Sequence, residues 1–381
     1  MKPRFYLDHN ATTPLRPAAR DAMLAALELF GNPSSVHAEG RAARALVDAA
    51  RAEVAALVGG RASNVIFTSG ASEALALALR PWWRRGAAAW QGLALSATEH
   101  PAARDGHDFP EAARLPVGAD GRLDLAALET ALKAAGRPLM VAVQAANNET
   151  GVVQPVAEAA AVVHAFGGLL VCDAVQAAGR VPCDFAATGA DMLVLSAHKI
   201  GGPKGAGALA LADGALHCDR PLLRGGGQEK GLRAGTENVP AIAGFGAAAA
   251  ALMMTGPAEA ERTRALRDAF EREIAALVPQ AVVFGAGSPR LPNTICFACP
   301  PATAETLLMA LDIEGVAVSS GAACSSGRVR RSHVLEAMGV APALAGGALR
   351  ASFGWTSQAG DVAAATRALR IAIERLDARR A

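Results

Sequence analysis

The chain has 381 residues, 52% of them hydrophobic, and 37 basic against 35 acidic side chains leave a net charge of +2. That length exceeds the size at which one apolar core usually stops growing and predicts two domains. The near-neutral balance, without blocks of one sign, excludes an extended nucleic-acid or membrane surface and points to a small-molecule partner.

Six unevenly spaced cysteines form no disulfide framework and predict free thiols in a reducing, cytoplasmic setting. Residues 1–8 lack the apolar core of a signal peptide. An extended piece at 5–7 opens into a Thr-, Asn- and Pro-rich loop that closes at Pro14. Pro17 suits the first turn of a helix reaching about residue 30. Gly31-Asn32-Pro33-Ser34-Ser35 breaks it, and Ala43, Leu46, Val47, Ala50, Val54 and Leu57 mark one face of a second helix over 39–58. Residues 65–68 read as a β-branched strand running into Ser69-Gly70-Ala71-Ser72-Glu73 and a helix. Strand, small-residue turn and helix N-terminus together offer free amides to a phosphate. The same residues also read as a plain cap by Ser72, worth ~1 kcal/mol.

Strands at 93–96, near 115, at 139–144, 169–172 and 192–195 then alternate with helices near 101 and over 124–135 and 155–166. This is the pattern of a mostly parallel sheet wrapped by helices, whose ligands sit beyond the strands' C-terminal ends. Polar residues gather at those ends: Thr98-Glu99-His100, Asn147-Asn148-Glu149, Asp173-Ala174-Val175-Gln176 and Ser196-Ala197-His198-Lys199. Singly, each has an ordinary reading, Asp173 as a helix cap and Lys199 as a solvated lysine after a buried strand. A lysine desolvated at a strand end can instead form a Schiff base. With a buried carboxylate and a flat ring beside it, such a lysine completes the parts that pyridoxal phosphate chemistry needs.

Residues 222–238 form a long glycine-rich loop of the kind that carries function. Two helices are expected next, over 239–254 and 258–278. The first is too short for a membrane span and reads as a buried helix. Thr255-Gly256-Pro257 between them marks the expected domain boundary, and strands near 282–284 and 294–297 open the second domain. There Cys324 is flanked only by small, flexible residues, with Arg328, Arg330 and Arg331 following in a position to favour thiolate. Cys296 and Cys299 lack the second pair that a zinc site requires and read as strand alternation. Arg350, a cation in an apolar run, needs an anionic partner such as a substrate carboxylate.

Several motifs, in order between about residues 5 and 354, resemble those of the cysteine desulfurases, most closely the nitrogen-fixation and iron-sulfur-cluster type. They are Tyr6-Leu7-Asp8 with Ala11-Thr12-Thr13-Pro14, Gly31-Asn32-Pro33-Ser34-Ser35, Phe67-Thr68-Ser69-Gly70-Ala71 and Glu99-His100. The series continues with Ala146-Asn147-Asn148-Glu149-Thr150-Gly151, Asp173-Ala174-Val175-Gln176, Ser196-Ala197-His198-Lys199, Gly225-Gly226-Gly227-Gln228 and Ser320-Gly321-Ala322-Ala323-Cys324-Ser325-Ser326-Gly327.

The resemblance implies an α/β chain of the class V aminotransferase family with the fold type I architecture of pyridoxal phosphate enzymes. A large domain, residues 16–255, would hold a mostly parallel seven-stranded sheet between helices. Residues 1–15 and 256–381 would make a smaller α+β domain. It further implies a homodimer that takes sulfur from L-cysteine, leaves L-alanine, and passes a persulfide to an iron-sulfur scaffold or another acceptor. By position, Lys199 would hold pyridoxal 5'-phosphate and move protons, Asp173 would pair with the ring nitrogen, Gln176 with the phenolic oxygen, and His100 would stack on the ring and, as a catalytic residue, help proton transfer. Ala71, Ser72, Ser196 and His198 would bind the phosphate, with Thr236 reaching it from the other subunit. Arg350, Asn148 and Asn32 would hold the substrate carboxylate, Asn148 also touching the cofactor, and Cys324 would attack the substrate sulfur. Two positions depart from the common pattern: Ser72 stands where threonine is usual and Ala322 where serine is frequent. A selenocysteine lyase or aminotransferase of the same fold, or a non-catalytic scaffold, are the alternatives.

Overall fold

Continuous apolar runs build the central sheet of the computed structural model, which describes residues 3–320 and 331–378. Seven strands pair in the spatial order Val65–Thr68, Gly207–Leu211, Met192–Ser196, Leu169–Asp173, Met140–Gln144, Leu93–Ser96, Ala112–Leu115. All pairings are parallel except those of Gly207–Leu211, which is antiparallel to both neighbours. Successive side chains enter opposite layers. Val141, Val143, Leu170, Leu193 and Leu195 face one core, and Met140, Ala142, Leu169 and Val194 face the other. Because helices cover both faces, the strands read as continuous apolar runs rather than as alternating apolar and polar residues.

A second, antiparallel sheet has the order Val282–Val283, Thr294–Ala298, Ala348–Ser352, Ser319–Ser320. The helices Ala304–Ile313 and Ala359–Ala378 pack on it through Leu307, Leu311, Val362 and Leu369. The start of the chain joins this part: Phe5–Tyr6 pairs in parallel with Val316–Ala317.

The expected pair of helices around residue 256 is instead one helix, Val239–Leu277, of 39 residues. Pro257 removes one N–H, but the carbonyl it leaves is that of Met253, on a face where Met253 and Met254 are exposed and water can satisfy it. The first half of the helix buries Ile242, Phe245, Ala249 and Leu252 in the core of the large sheet. The second half buries Leu266, Phe270 and Ile274 against the small sheet, so a single rigid element ties the two cores together. The apolar stretch that could pass for a membrane span is therefore packed against protein.

Candidate active site

The C-terminal ends of five strands of the large sheet open on a cleft of about 840 Å³. Ala71 and Ser72 enter it after Val65–Thr68, His100 after Leu93–Ser96, and Asn148 after Met140–Gln144. Asp173 and Gln176 follow from Leu169–Asp173, and Ser196, His198 and Lys199 from Met192–Ser196. Arg350 reaches the same cleft from the small sheet. The sheet rule for ligand position thus holds here, and side chains far apart in sequence share one wall.

Lys199 lies in a short turn that Gly201, at φ 87°, bends away from the strand. A Cβ at Gly201 would stand 2.5 Å from Cγ of Arg16. The N-terminal segment clasps this turn: Thr13 N donates to His198 O at 3.0 Å, Arg16 N to Gly201 O at 2.8 Å, and Arg16 Nε to Ile200 O at 2.9 Å. A buried ion pair to Glu259, 2.7 Å, holds Arg16 in place. Lys199 Nζ donates to Asn10 O and, at 3.0 Å, to Ala11 O. Burial, followed by the charges of Arg350 and Arg180, pushes its pKa down to about 8. His198 bonds the Thr12 hydroxyl through Nδ1 at 3.2 Å. Burial and then the cations Lys199 and Lys204 push it to about 4, so it is neutral near pH 7.

Asp173 is buried, and one of its oxygens accepts the Val175 N–H at 2.9 Å. Desolvation raises its pKa to about 6. Glu99, fully buried, is pushed up to about 8 by desolvation and by Asp173. Its Oε1 accepts from Gln144 N at 2.6 Å, and its Oε2 has no partner among the described residues. The His100 ring stands in the cleft with Nδ1 accepting the Ala102 N–H at 3.1 Å, which puts the proton of the neutral ring on Nε2. Partial desolvation, then the Lys199 charge, lowers its pKa.

Arg350 already has an anionic partner: its Nη2 pairs with Asp8 at 2.6 Å, and Nη1 donates to Asn148 O at 2.9 Å. Its Nε is buried without a partner among the described residues. The edge of the guanidinium that presents Nε–H beside the second Nη2 hydrogen is the one that grips a carboxylate bidentately. The sequence-level expectation of an anion at Arg350 is met from within the chain, and a donor edge remains for a second one.

The helix Ala71–Ala78 has Gly70, not Ser72, at its N-cap, and Gly70 makes no side-chain cap. The cap reading of Ser72 is therefore corrected: Ser72 is the second helical residue, where its N–H is one of the donors that no helical carbonyl meets. Among the described residues, chain neighbours aside, no atom lies within 4 Å of where a Cβ on Gly70 would sit, which leaves the turn open to a ligand. This donor set suits pyridoxal phosphate. Free amides and a hydroxyl at a helix N-terminus, a buried carboxylate without an ion-pair partner among the described residues and a lysine of lowered pKa line one cleft.

Asn32, expected at this site, and Thr236, expected at the site of the other subunit, do not line this cleft. Asn32 is exposed and folds back to accept Ser34 N at 2.9 Å, and Thr236 is exposed on its loop. Cys324 lies outside the described residues, although Ser319, shortly before it, lines the cleft. Cys296 and Cys299 are buried in the small-sheet cores, and desolvation raises both thiols, that of Cys299 to about 12. Sequence reasoning missed Asn10, Asp8 and Arg180. Asn10 is buried, and its carbonyl accepts both Lys199 Nζ and, at 3.0 Å, Gln176 Nε2. A backbone carbonyl has no side-chain signature, and only the unusual density of polar residues over 8–13 hinted at it.

The family described as Aminotransferase class-V matches residues 5–364. A cysteine desulfurase of Cereibacter sphaeroides is 48% identical over 366 residues, which cover 93% of this chain and 92% of that protein. An IscS-like cysteine desulfurase of Mycobacterium tuberculosis is 40% identical over 387 residues, covering 99% and 97%. Among solved structures, the NifS-like protein of Rickettsia africae superposes with a TM-score of 0.87 at 31% identity, over 97% of this chain and 99% of that one.

Proposed function

Because the chain belongs to the class-V aminotransferase family and, within it, to the cysteine desulfurases, we propose that it removes sulfur from L-cysteine with pyridoxal 5'-phosphate, leaving L-alanine and a persulfide on Cys324. The observation that carries this reading is the convergence in one cleft of a lysine held near pKa 8, a buried carboxylate and a guanidinium with a free donor edge. The cofactor, when bound, supplies an electron sink for charge developing at the substrate Cα.

The chain's own groups do the rest. Lys199 would hold the cofactor, and its Nζ would take the proton from the substrate Cα; its lowered pKa keeps a working fraction unprotonated. Asp173 would accept the ring N–H, Gln176 would donate to the phenolic oxygen and His100 would face the ring. The amides and hydroxyl at Ala71 and Ser72, with Ser196 and His198, would hold the phosphate. Arg350 would offer its Nε edge to the substrate carboxylate and Asn148 would assist, also flanking the cofactor, whereas Asn32, exposed and outside the cleft, takes no part in this reading. Cys324, as thiolate, attacks the substrate sulfur; the Cβ–S bond breaks with its electron pair left on carbon, which is protonated, and the sulfur stays on Cys324 as persulfide for an iron-sulfur scaffold or other acceptor protein.

Thr236 would complete the phosphate site of a second subunit, which makes the enzyme a homodimer. The exposed apolar residues Leu24, Leu27, Phe30, Val36 and Met254 support such an interface. The partition of the cores supports a large domain at 16–255 and a small one from 1–15 and 256–381. The buried free thiols fit the reducing cytoplasm.

With L-cysteine and a reductant, the purified enzyme should yield alanine and sulfide in equal amounts. Cys324→Ala should keep the visible band of the bound cofactor and release no sulfide. Full sulfide release by that variant, or keto-acid formation in place of alanine, would overturn the reading.

A further inference from the structure

Arg180 is mostly enclosed, yet every partner it has among the described residues is neutral. Its Nη1 donates to Gln176 Oε1 at 2.6 Å, to Gln176 O at 2.9 Å and to Asn10 Oδ1 at 3.4 Å, and its Nη2 donates to Lys199 O at 3.2 Å. Burial and the like charges of Arg350 and Arg16, opposed only by Glu259, push its pKa down to about 10. A cation kept in such a place without a carboxylate is costly. What its four acceptors have in common is the cofactor end of the cleft.

The Gln176 amide shows why. Its oxygen is held by the guanidinium, and its nitrogen donates at 3.0 Å to Asn10 O, the same carbonyl that accepts Lys199 Nζ. The nitrogen is therefore beside the lysine amine and has one more hydrogen to give. Turning the amide over would set Oε1 against the Asn10 carbonyl and the NH₂ group against the guanidinium, so both ends oppose the flip. Without Arg180 only the Asn10 bond would remain to orient it.

We propose that Arg180 is a positioning residue which locks the Gln176 amide with its nitrogen toward Lys199 and the cleft, presetting the donor that meets the cofactor's phenolic oxygen. The inference rests on the reading of the cleft as a pyridoxal phosphate site. A donor at the phenolic oxygen stabilises its negative charge and weakens its hold on the proton shared with the lysine nitrogen. An acceptor there does the reverse. Lys199 also feels the charges of Arg350, Asp8 and Asp173 and has His100 and His198 nearby, none of which the substitution alters; the direct charge of Arg180 on Lys199 is removed with it, and the Gln176→Ala background separates that field effect from the grip on the amide.

The test is the pH midpoint of the visible cofactor band in the reconstituted wild type, Arg180→Met, Gln176→Ala and the double variant, with Arg180→Lys to separate charge from the two-sided grip. Arg180→Met should raise the midpoint by about one unit, a tenfold gain in proton affinity. In the Gln176→Ala background the same substitution should move it by less than half as much, and Arg180→Lys should fall between wild type and Arg180→Met. Equal shifts in both backgrounds, or no shift in either, would overturn the proposal, because a field effect or a purely structural role does not depend on Gln176. Should Arg180→Met fail to fold, Arg180→Lys with and without Gln176→Ala decides by the same comparison. A wild type that shows no visible band would instead sink the cofactor reading on which the inference stands.

Discussion

Replacing Lys199 by methionine should make the cofactor-free protein more stable at neutral pH, although it removes the central residue of the site. Burial and two nearby cations lower the amine from 10.5 to about 8, so the folded state holds this proton more weakly than the unfolded chain does. The sign follows: below pH 8 both states carry the charge and the folded state bears the whole penalty, which is relieved as pH rises from 8 through 10.5. The ceiling of that penalty is about 3 kcal/mol. Partial solvent access and the bonds to the Asn10 and Ala11 carbonyls reduce it to an expected gain of roughly 1–2 kcal/mol for Lys199→Met at pH 7. Urea unfolding of both cofactor-free proteins, between pH 6 and 10, measures the difference. It should favour the variant at pH 7 and shrink by roughly 1–2 kcal/mol on reaching pH 10. A difference that stays flat with pH would refute the claim that the amine is charged and desolvated in the folded state.

Arg350→Lys keeps the charge but loses the Nε edge, and should raise KM for L-cysteine by about tenfold or more with a smaller change in kcat, as steady-state kinetics would report. Gly201→Ala forces a side chain to φ 87° and brings its Cβ to 2.5 Å from Cγ of an Arg16 that Glu259 holds in place; it should cost about 1–3 kcal/mol in denaturant unfolding. Glu99, raised from 4.5 to about 8, costs the folded state increasingly as pH climbs through that window, so Glu99→Gln should gain on wild type by about 2 kcal/mol between pH 5 and 8. Parallel unfolding curves across those pH values would show that Glu99 does not titrate as described.

Much of the architecture was legible locally. Residues 140–144, 169–173 and 192–196 are apolar runs because both faces of their sheet are covered, and the residues just after them had to be polar to meet a ligand at the strand ends. Lys199, Asp173, Gln176 and His100 were found by that logic, aided by family resemblance. The antiparallel strand Gly207–Leu211 is not legible in the sequence, since Gly205, Ala206 and Gly207 at its start carry no periodicity. The break expected at Gly256-Pro257 failed for the opposite reason. Local propensity there is against a helix, but packing on both sides of the kink outweighs one missing bond.

The sequence by itself determined the parallel strands of the large sheet, the turns that follow them and the identity of the polar groups at each turn, because these depend on apolar runs and backbone freedom over a few residues. The tertiary structure alone decided which distant groups meet. Asp8 pairs with Arg350 across 342 positions, and the Asn10 carbonyl meets Lys199 across 189. No local pattern encodes such pairs, since they arise where the first residues of the chain return to the small sheet and cross the lysine turn. The extra hydrogen bonds and charges found there, from Asp8, Asn10 and Arg180, set the electrostatics in which the legible residues work.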